Sequence, residues 1–339
     1  MRISTDVFVL RVRMERVTTK RMLAGFLVVI ILLAVLAWFV DWDSVIELIR
    51  GVKPWYLVLA SMCLILGFLA YAERWYLLME KRASYIPTFH AANAGNLVNT
   101  LLPLRPGDAA RIVLLGGGQE LSLALVTSSI VVERWFEQIM RLVAIGGAML
   151  FGMGMNVSII SIAGVILMMI GVYMFMLLMI NKRDTFLSVV PQWISRIPRI
   201  SESSVREGLE NLIDGFSGVS SPRYLMMLLV WSVITWGLFW GFHYLSFIAL
   251  GVDSSDQTML AITLGALAFV PPSAATLPGI YQISMVVPLA LVGYDENLLT
   301  SYALVLNSLE LFWILLLGIW GVLQSGYSIR SVLSRRSEA

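Results

Sequence analysis

Residues 22–40, 142–181 and 257–294 contain no charged side chain. An apolar helix of about 20 residues crosses the roughly 30 Å hydrocarbon core of a bilayer. Lipid offers the backbone no hydrogen-bond partner, so apolar segments of this length are held to helices that satisfy their own N–H and C=O groups. Of the 339 residues, 58% are hydrophobic and 14% charged, and the mean hydropathy is +0.82. Soluble domains carry roughly 25% charged residues, so this balance excludes both a cytosolic enzyme and a disordered chain. A single cysteine, Cys63, provides neither a disulfide framework nor a cysteine metal site. The formal net charge is only +2, so the placement of charges carries more information than their sum.

Residues 22–40 are too long for a signal-peptide core and are followed by Asp41, Trp42 and Asp43, which predicts a permanent first helix. Arg11, Arg13, Arg16, Lys20 and Arg21 precede it and hold the N-terminus in the cytoplasm by the positive-inside rule. Residues 41–53 then form a short surface helix outside, and Trp38, Trp42 and Trp55 mark the outer interface. Further full spans are expected at 54–72, 121–150, 157–180, 224–250 and 298–323. Two apolar stretches are interrupted. Residues 84–118 are broken at Pro103, Arg105, Pro106, Gly107 and Asp108, and residues 258–292 at Pro271, Pro272, Pro278 and Gly279.

Charge decides how the broken stretches are read. If each enters and leaves on one face, most of the 24 basic residues fall in cytoplasmic segments, the C-terminal tail included. The outward links then hold only Arg50 and Lys53 against Asp41, Asp43, Glu47, Asp253, Asp256, Asp295 and Glu296. The expected architecture is an all-α polytopic membrane protein with six full transmembrane helices and two re-entrant helical hairpins. It forms one integral membrane domain over 1–339, in the cytoplasmic (inner) membrane. Its halves, about 22–150 and 157–323, repeat the same order of elements in opposite orientation. Such inverted-topology repeats place substrate sites near the midplane, where broken helices meet. Residues 181–223 form a cytoplasmic interfacial link, with apolar Phe186, Trp193, Leu209, Leu212 and Phe216.

Glu133 lies about 18 Å along a helix beginning at Leu121, given a rise of 1.5 Å per residue. With Arg134, Glu137 and Arg141 it makes four charges on one span. Facing lipid, four unpaired charges would cost on the order of 10 kcal/mol, so they must face protein or water. Glu133, Glu137 and Arg141 are spaced i, i+4, i+8 on one helix face, with Arg134 one position round. An ion-pair ladder gluing the helix to the hairpins is one reading; a polar lining for a charged lipid headgroup is the other. In the first break, Arg105, Asp108 and Arg111 combine arginine's phosphate-matching fork with the free backbone ends of a half-helix. Asn99 stands just before them. Glu310, with Asn307 one turn earlier, interrupts an otherwise uncharged last span. It is either paired with an arginine such as Arg134 or protonated.

Other motifs point nowhere chemical. His90 and His243 lack neighbours at metal-ligand spacing; His243, among aromatic residues, is expected to hydrogen-bond between helices. Gly237 and Gly241 form a GxxxG that permits close helix contact. Gly116, Gly117 and Gly118 lack the lysine of a P-loop, and there is no nucleophile–histidine set. No cofactor, metal or nucleic acid is expected; a homo-oligomer remains open.

The run Asn99, Thr100, Leu101, Leu102, Pro103, Leu104, Arg105, Pro106, Gly107, Asp108, Ala109, Ala110, Arg111, followed by Glu133 and Arg134, resembles the signature of the lysylphosphatidylglycerol synthase transmembrane-region family. This flippase-like domain also forms the front of the bacterial multiple peptide resistance factor. The resemblance covers residues 22–323. At the second break the family has a Gly-Gly-x-Gly stretch followed by Glu, whereas this chain reads Pro278, Gly279, Ile280, Tyr281, Gln282, Ile283, Ser284. The missing carboxylate implies a divergent branch. The resemblance implies movement of a modified phospholipid between leaflets, or a part in polyprenyl- or hopanoid-lipid pathways. The aminoacyl-transferase domain of bifunctional members is not in this sequence, so lysine transfer is not expected of it alone.

The leading expectation is therefore a lipid transporter, not an enzyme, whose partner is a phospholipid or lipid-linked substrate. Asn99, Arg105, Asp108, Arg111, Glu133, Arg134, Glu137, Arg141 and Glu310 are its candidate headgroup-binding residues. The rival from another class is an integral-membrane transferase or accessory protein in lipid biosynthesis, with Asp108 or Glu133 as base.

Overall fold

The computed structural model describes residues 51–102, 106–118, 121–153, 159–196, 201–251, 254–272 and 279–324. The expected first span (22–40), the surface segment 41–50, Arg105 and Pro278 lie outside the described residues. Among the described residues every regular element is helical: α1 (Pro54–Leu78), α2 (Tyr85–Leu101), α3 (Gly107–Gly118), α4 (Leu123–Leu150), α5 (Ile159–Asn181), α6 (Arg183–Ile194), α7 (Glu202–Phe216), a 3-10 turn (Ser217–Ser220), α8 (Pro222–Ala249), α9 (Asp256–Phe269), α10 (Ile280–Leu291) and α11 (Glu296–Gln324).

Local chemistry sets the starts. Pro54 and Pro222 occupy the first turns of α1 and α8, where a missing N–H costs nothing. Ser122, Ser201, Ser221 and Ser255 each accept a hydrogen bond from a first-turn N–H and so cap α4, α7, α8 and α9. Gly279 opens α10 at φ 90°, a left-handed conformation that favours glycine.

Helices α1, α8 and α11 are long and apolar enough to cross a membrane, and α5 with α6 adds a fourth if that pair, bent by 97°, is one span. At 28 residues α4 is about 42 Å long, and it carries four charged residues along that length. After the bend, α6 leads to α7, whose Asp214 and Glu210 both pair with Arg183 of α6.

The ends of the bundle are fixed by α1 and α8, which run antiparallel along their whole lengths. At one end Tyr224 Oη donates to Leu77 O and Ser217 Oγ to Glu80; at the other, Lys53 N donates to Ala249 O at 2.8 Å. Helix α2 starts at the first end, just after α1. The start of α4 returns there, where Ser128 backs directly onto Gly215 of α7, so close that a Cβ on Gly215 would collide with its hydroxyl. Helix α9 starts at the second end, just after α8, and α11 starts there too, since its Tyr302 donates to His243 O at 2.9 Å near the end of α8. Each broken stretch therefore begins and finishes at one end of the bundle, and the two use opposite ends.

The remaining long contacts are α2 with α11 and α4 with α9. On α11, Gly318 and Gly321 let the α2 backbone come close: a Cβ on Gly321 would lie 2.5 Å from His90 O. The GxxxG of α8 is no such seam, because a Cβ on Gly237 would meet nothing within 4 Å while Gly241 faces Cys63 of α1. His243 does bond between helices, as its Nδ1 lies 3.3 Å from Tyr302 Oη.

Candidate functional site

Four helices converge on a network of charges. Residues three and four apart share a helix face, so α1 presents Tyr71, Arg74 and Trp75 together and α3 presents Asp108 with Arg111. Helix α4 adds Ser129, Glu133, Arg134 and Glu137, and α8 contributes Ser232.

Glu133 is the centre. Its Oε1 accepts from Tyr71 Oη at 2.6 Å and from Arg111 Nη1 at 3.0 Å, while Oε2 accepts from Arg111 Nη2 at 2.6 Å. Arg111 also donates to Tyr71 Oη at 2.9 Å, and its guanidinium lies 3.9 Å from the centroid of the Trp75 ring. That ring is fixed by its own bond, Trp75 Nε1 to Ser129 Oγ at 2.9 Å. Glu137 accepts from Arg134 at 2.6 Å and from Arg74 at 3.4 Å, and Arg74 reaches Ser232 Oγ at 3.4 Å. Asp108 closes the ring: Arg134 Nη2 donates to its two oxygens at 2.7 and 2.9 Å, and Arg111 approaches at 3.5 Å.

Three guanidinium groups thus face three carboxylates, and burial is graded across them. Glu133 and Arg74 are 0% exposed and Arg111 1%, whereas the side chains of Asp108 and Arg134 are 32% and 26% exposed. The inner part is a sealed lattice of paired charges; the outer pair opens to the surroundings. A paired ionic group can stay buried only while its partners remain, so the inner pairs clamp α1, α3 and α4 together. The outer Arg134 is able to exchange Asp108 for another anion, because the oxygens of a carboxylate and of a phosphate match the same guanidinium fork.

The break in front of α3 is built for close approach. Asn99 Oδ1 accepts from Gly107 N at 2.6 Å across the break, and a Cβ on Gly107 would lie 2.0 Å from Gly95 O. Asn99 is therefore buried against the hairpin itself rather than facing the outer pair. Beside Arg134, Trp135 turns to the other side of α4, donating to Met169 O at 3.0 Å and stacking on Tyr173. There it heads an apolar cleft of about 500 Å³ between α4 and α5, continued by Ile139, Val143 and Met149.

Residues 22–318 match the family model described as Lysylphosphatidylglycerol synthase TM region. The chain belongs to this family. No curated protein and no solved structure matches it. Membership in the lysylphosphatidylglycerol synthase TM family, with the membrane-crossing helices, makes the chain a multi-pass membrane protein with a membrane lipid-related function.

Of the residues singled out in the sequence of this family member, Asp108, Arg111, Glu133, Arg134 and Glu137 come together in one network. Arg141 is half-buried one turn further along α4. Glu310 stands apart from them, on α11 beside Tyr281 of α10, so the expected alternative of a pair with Arg134 gives way to a neutral neighbour. Arg111 was expected to be open to a phosphate; here its terminal nitrogens serve Glu133, Tyr71 and Asp108. Five network members were not anticipated: Tyr71, Arg74 and Trp75 of α1, with Ser129 and Ser232, which hold Trp75 and Arg74. Arg74 reads in sequence as a cytoplasmic-edge charge after a span ending at Ala72, yet α1 continues to Leu78 and buries it completely. Tyr71 and Trp75 flank it at helical spacing, and that Tyr-x-x-Arg-Trp pattern is the signal by which the sequence could have exposed them. Arg74 lies only about 6 Å along the helix axis from Leu78, so the network sits nearer the α1–α2 turn than the bilayer centre.

Proposed function

We infer that this chain moves a phospholipid or lipid-linked headgroup between the leaflets of the cytoplasmic membrane, as a flippase-like transporter rather than an enzyme. The observation carrying this reading is the graded charge network, sealed at Arg111–Glu133 and open at Asp108–Arg134. A headgroup phosphate displaces Asp108 from Arg134 and takes its place, while a cationic group on the same lipid satisfies the freed carboxylate. The apolar cleft headed by Trp135 accepts an acyl chain on the adjoining side of α4.

The architecture that suits this role is six full spans with two re-entrant hairpins in an inverted-topology repeat, both termini being cytoplasmic. Supporting it, the two broken stretches use opposite ends of the α1–α8 pair. Matching contacts recur between the halves: α2 packs on α11 as α9 packs on α4, and α1 meets α2 as α8 meets α9. A side-chain amide oxygen accepts a glycine N–H beside each break, Asn99 Oδ1 from Gly107 N across the first and Gln282 Oε1 from Gly279 N at the start of α10, each at 2.6 Å. Alternating access by rocking one repeat against the other follows from such an arrangement.

The test is leaflet exchange of a fluorescent phospholipid in vesicles holding the full chain. Wild-type protein is expected to equilibrate the label, and Arg134→Ala to slow it severely while still folding. Wild-type vesicles with no exchange beyond empty ones would overturn the reading. A new labelled lipid formed on adding a labelled donor would replace it with a transferase.

A further inference from the structure

The second hairpin carries a buried acid that the charge network does not use. Glu310 is 2% exposed and sits one helical turn from Asn307, facing α10. There Gln282 binds Asn307 Oδ1 through Nε2 at 3.2 Å and Gly279 N through Oε1 at 2.6 Å, so its amide is occupied at both ends. The Tyr281 hydroxyl lies beside the Glu310 carboxyl. The hydroxyl is close enough to the carboxyl to interact with it, but Glu310 Oε2 has no well-formed hydrogen bond among the described residues. A neutral hydroxyl is thus the group beside this buried acid, and one of its oxygens is left without a partner among the described residues.

No cation supplies that partner from the helices packed on α11. On α8, His243 meets α11 at Tyr302, about 12 Å along the helix from Glu310. On α2, His90 meets it at Trp320, about 15 Å the other way. On α1, Tyr71 and Arg74 turn to Glu133 and Glu137. On α10, Tyr281 is the ionisable neighbour, and residues 273–278 before it hold no charged side chain. Among the described residues an ionised carboxylate in such a place has the Tyr281 hydroxyl as a donor but no countercharge, and burial disfavours it. A protonated one gains a donor and can bridge to the phenol oxygen.

We propose that Glu310 is a proton-binding site that joins α11 to the second hairpin and couples proton movement to lipid movement. With the proton on, the Glu310–Tyr281 contact closes and α10 stays docked on α11. With the proton released, the carboxylate needs water, and it obtains water only if α10 parts from α11 and opens the hairpin to its own face of the membrane. In the first hairpin the described carboxylate, Asp108, is paired with arginine instead. The coupling rests on the transport reading given above; the proton site does not.

Two measurements on the full chain in vesicles decide it. Infrared difference spectra at neutral pH should show the carbonyl stretch of a protonated carboxylic acid in wild type, lost in Glu310→Gln. In Tyr281→Phe the band should persist at a shifted frequency, which keeps the assignment testable should Glu310→Gln fail to fold. A spectrum without the band, or one unchanged in Glu310→Gln, overturns the site. An imposed pH gradient should change lipid exchange several-fold in wild type and leave Glu310→Gln unresponsive, while a sodium gradient at uniform pH has no effect. A response to sodium alone makes this a metal-cation site and sinks the proposal. Exchange that ignores both gradients overturns the coupling but leaves lipid transport standing. Wild type that moves no lipid removes transport and coupling together, and the infrared band then decides the proton site alone.

Discussion

Arg111 and Glu133 meet fork to fork, Nη1 to Oε1 at 3.0 Å and Nη2 to Oε2 at 2.6 Å, with both side chains shut away from solvent and lipid. Removing either partner strands the other charge inside the bundle, which typically costs 3–5 kcal/mol, about what is expected here. Replacing both with apolar residues removes the stranded charge as well. Arg111→Met and Glu133→Leu should therefore each lower stability by roughly 3–5 kcal/mol, and the double variant by less than either single. Equilibrium unfolding in detergent measures this. Additive losses would mean that the two charges are satisfied independently, against the geometry.

Asp108 and Arg134 form the outer pair, and partly exposed pairs contribute only about 1 kcal/mol or less. Asp108→Asn should accordingly leave unfolding almost unchanged while freeing one nitrogen of Arg134 for an incoming anion. Native mass spectrometry of gently solubilised protein is expected to find more anionic phospholipid retained by Asp108→Asn than by wild type. Equal retention would show that Asp108 does not compete with the headgroup.

The spans were legible because hydropathy is a local property: α1, α8 and α11 fall where 54–72, 224–250 and 298–323 were expected, and both breaks coincide with proline and glycine. That Glu133, Arg134 and Glu137 needed protein around them was legible too, from the cost of a charge in lipid. Their partners were not. Tyr71 lies 62 positions from Glu133 and Arg74 lies 63 from Glu137, and no local pattern reports a contact across that distance. Arg74 shows the difficulty well: a positive charge near the end of a span has the same sequence appearance whether it snorkels to headgroups or turns inward to a carboxylate. Glycine seams fail for the same reason. Gly237 and Gly241 carry the familiar spacing and make no two-residue contact, while Gly95 and Gly107, twelve positions apart across a break, touch backbone to backbone.

That contrast gives a matched pair of substitutions. A methyl group on Gly107 would lie 2.0 Å from Gly95 O and 2.5 Å from Asn99 Oδ1, neither of which can yield without moving the hairpin. On Gly237 it would meet nothing within 4 Å. Gly107→Ala should destabilise by about 1–3 kcal/mol or more through overpacking, and it should disturb the Asn99 bond that sets the break. Gly237→Ala, in the middle of α8, should be neutral or stabilise by up to about 1 kcal/mol through helix propensity. Thermal unfolding of the two variants side by side checks the difference, and equal effects would contradict the packing at the first break.

The opposed hairpins make a prediction about sidedness. Ser84 begins the first broken stretch and Asn297 follows the second, and both are exposed. They lie at opposite ends of the antiparallel α1–α8 pair, one beside the Leu77–Tyr224 contact and the other beyond the Lys53–Ala249 contact. Because α8 crosses the membrane between them, the two positions must face different compartments if each hairpin returns to its own side. In a Cys63→Ala background, Ser84→Cys is expected to react with a membrane-impermeant maleimide only from the cytoplasmic face, and Asn297→Cys only from the outer face. Labelling of both from one side would mean that one broken stretch crosses the bilayer completely. If that stretch is the second, the basic residues gathered at 182–223 would share a face with the acidic link at 295–296, and if it is the first they would lie outside, and the positive-inside rule disfavours both distributions.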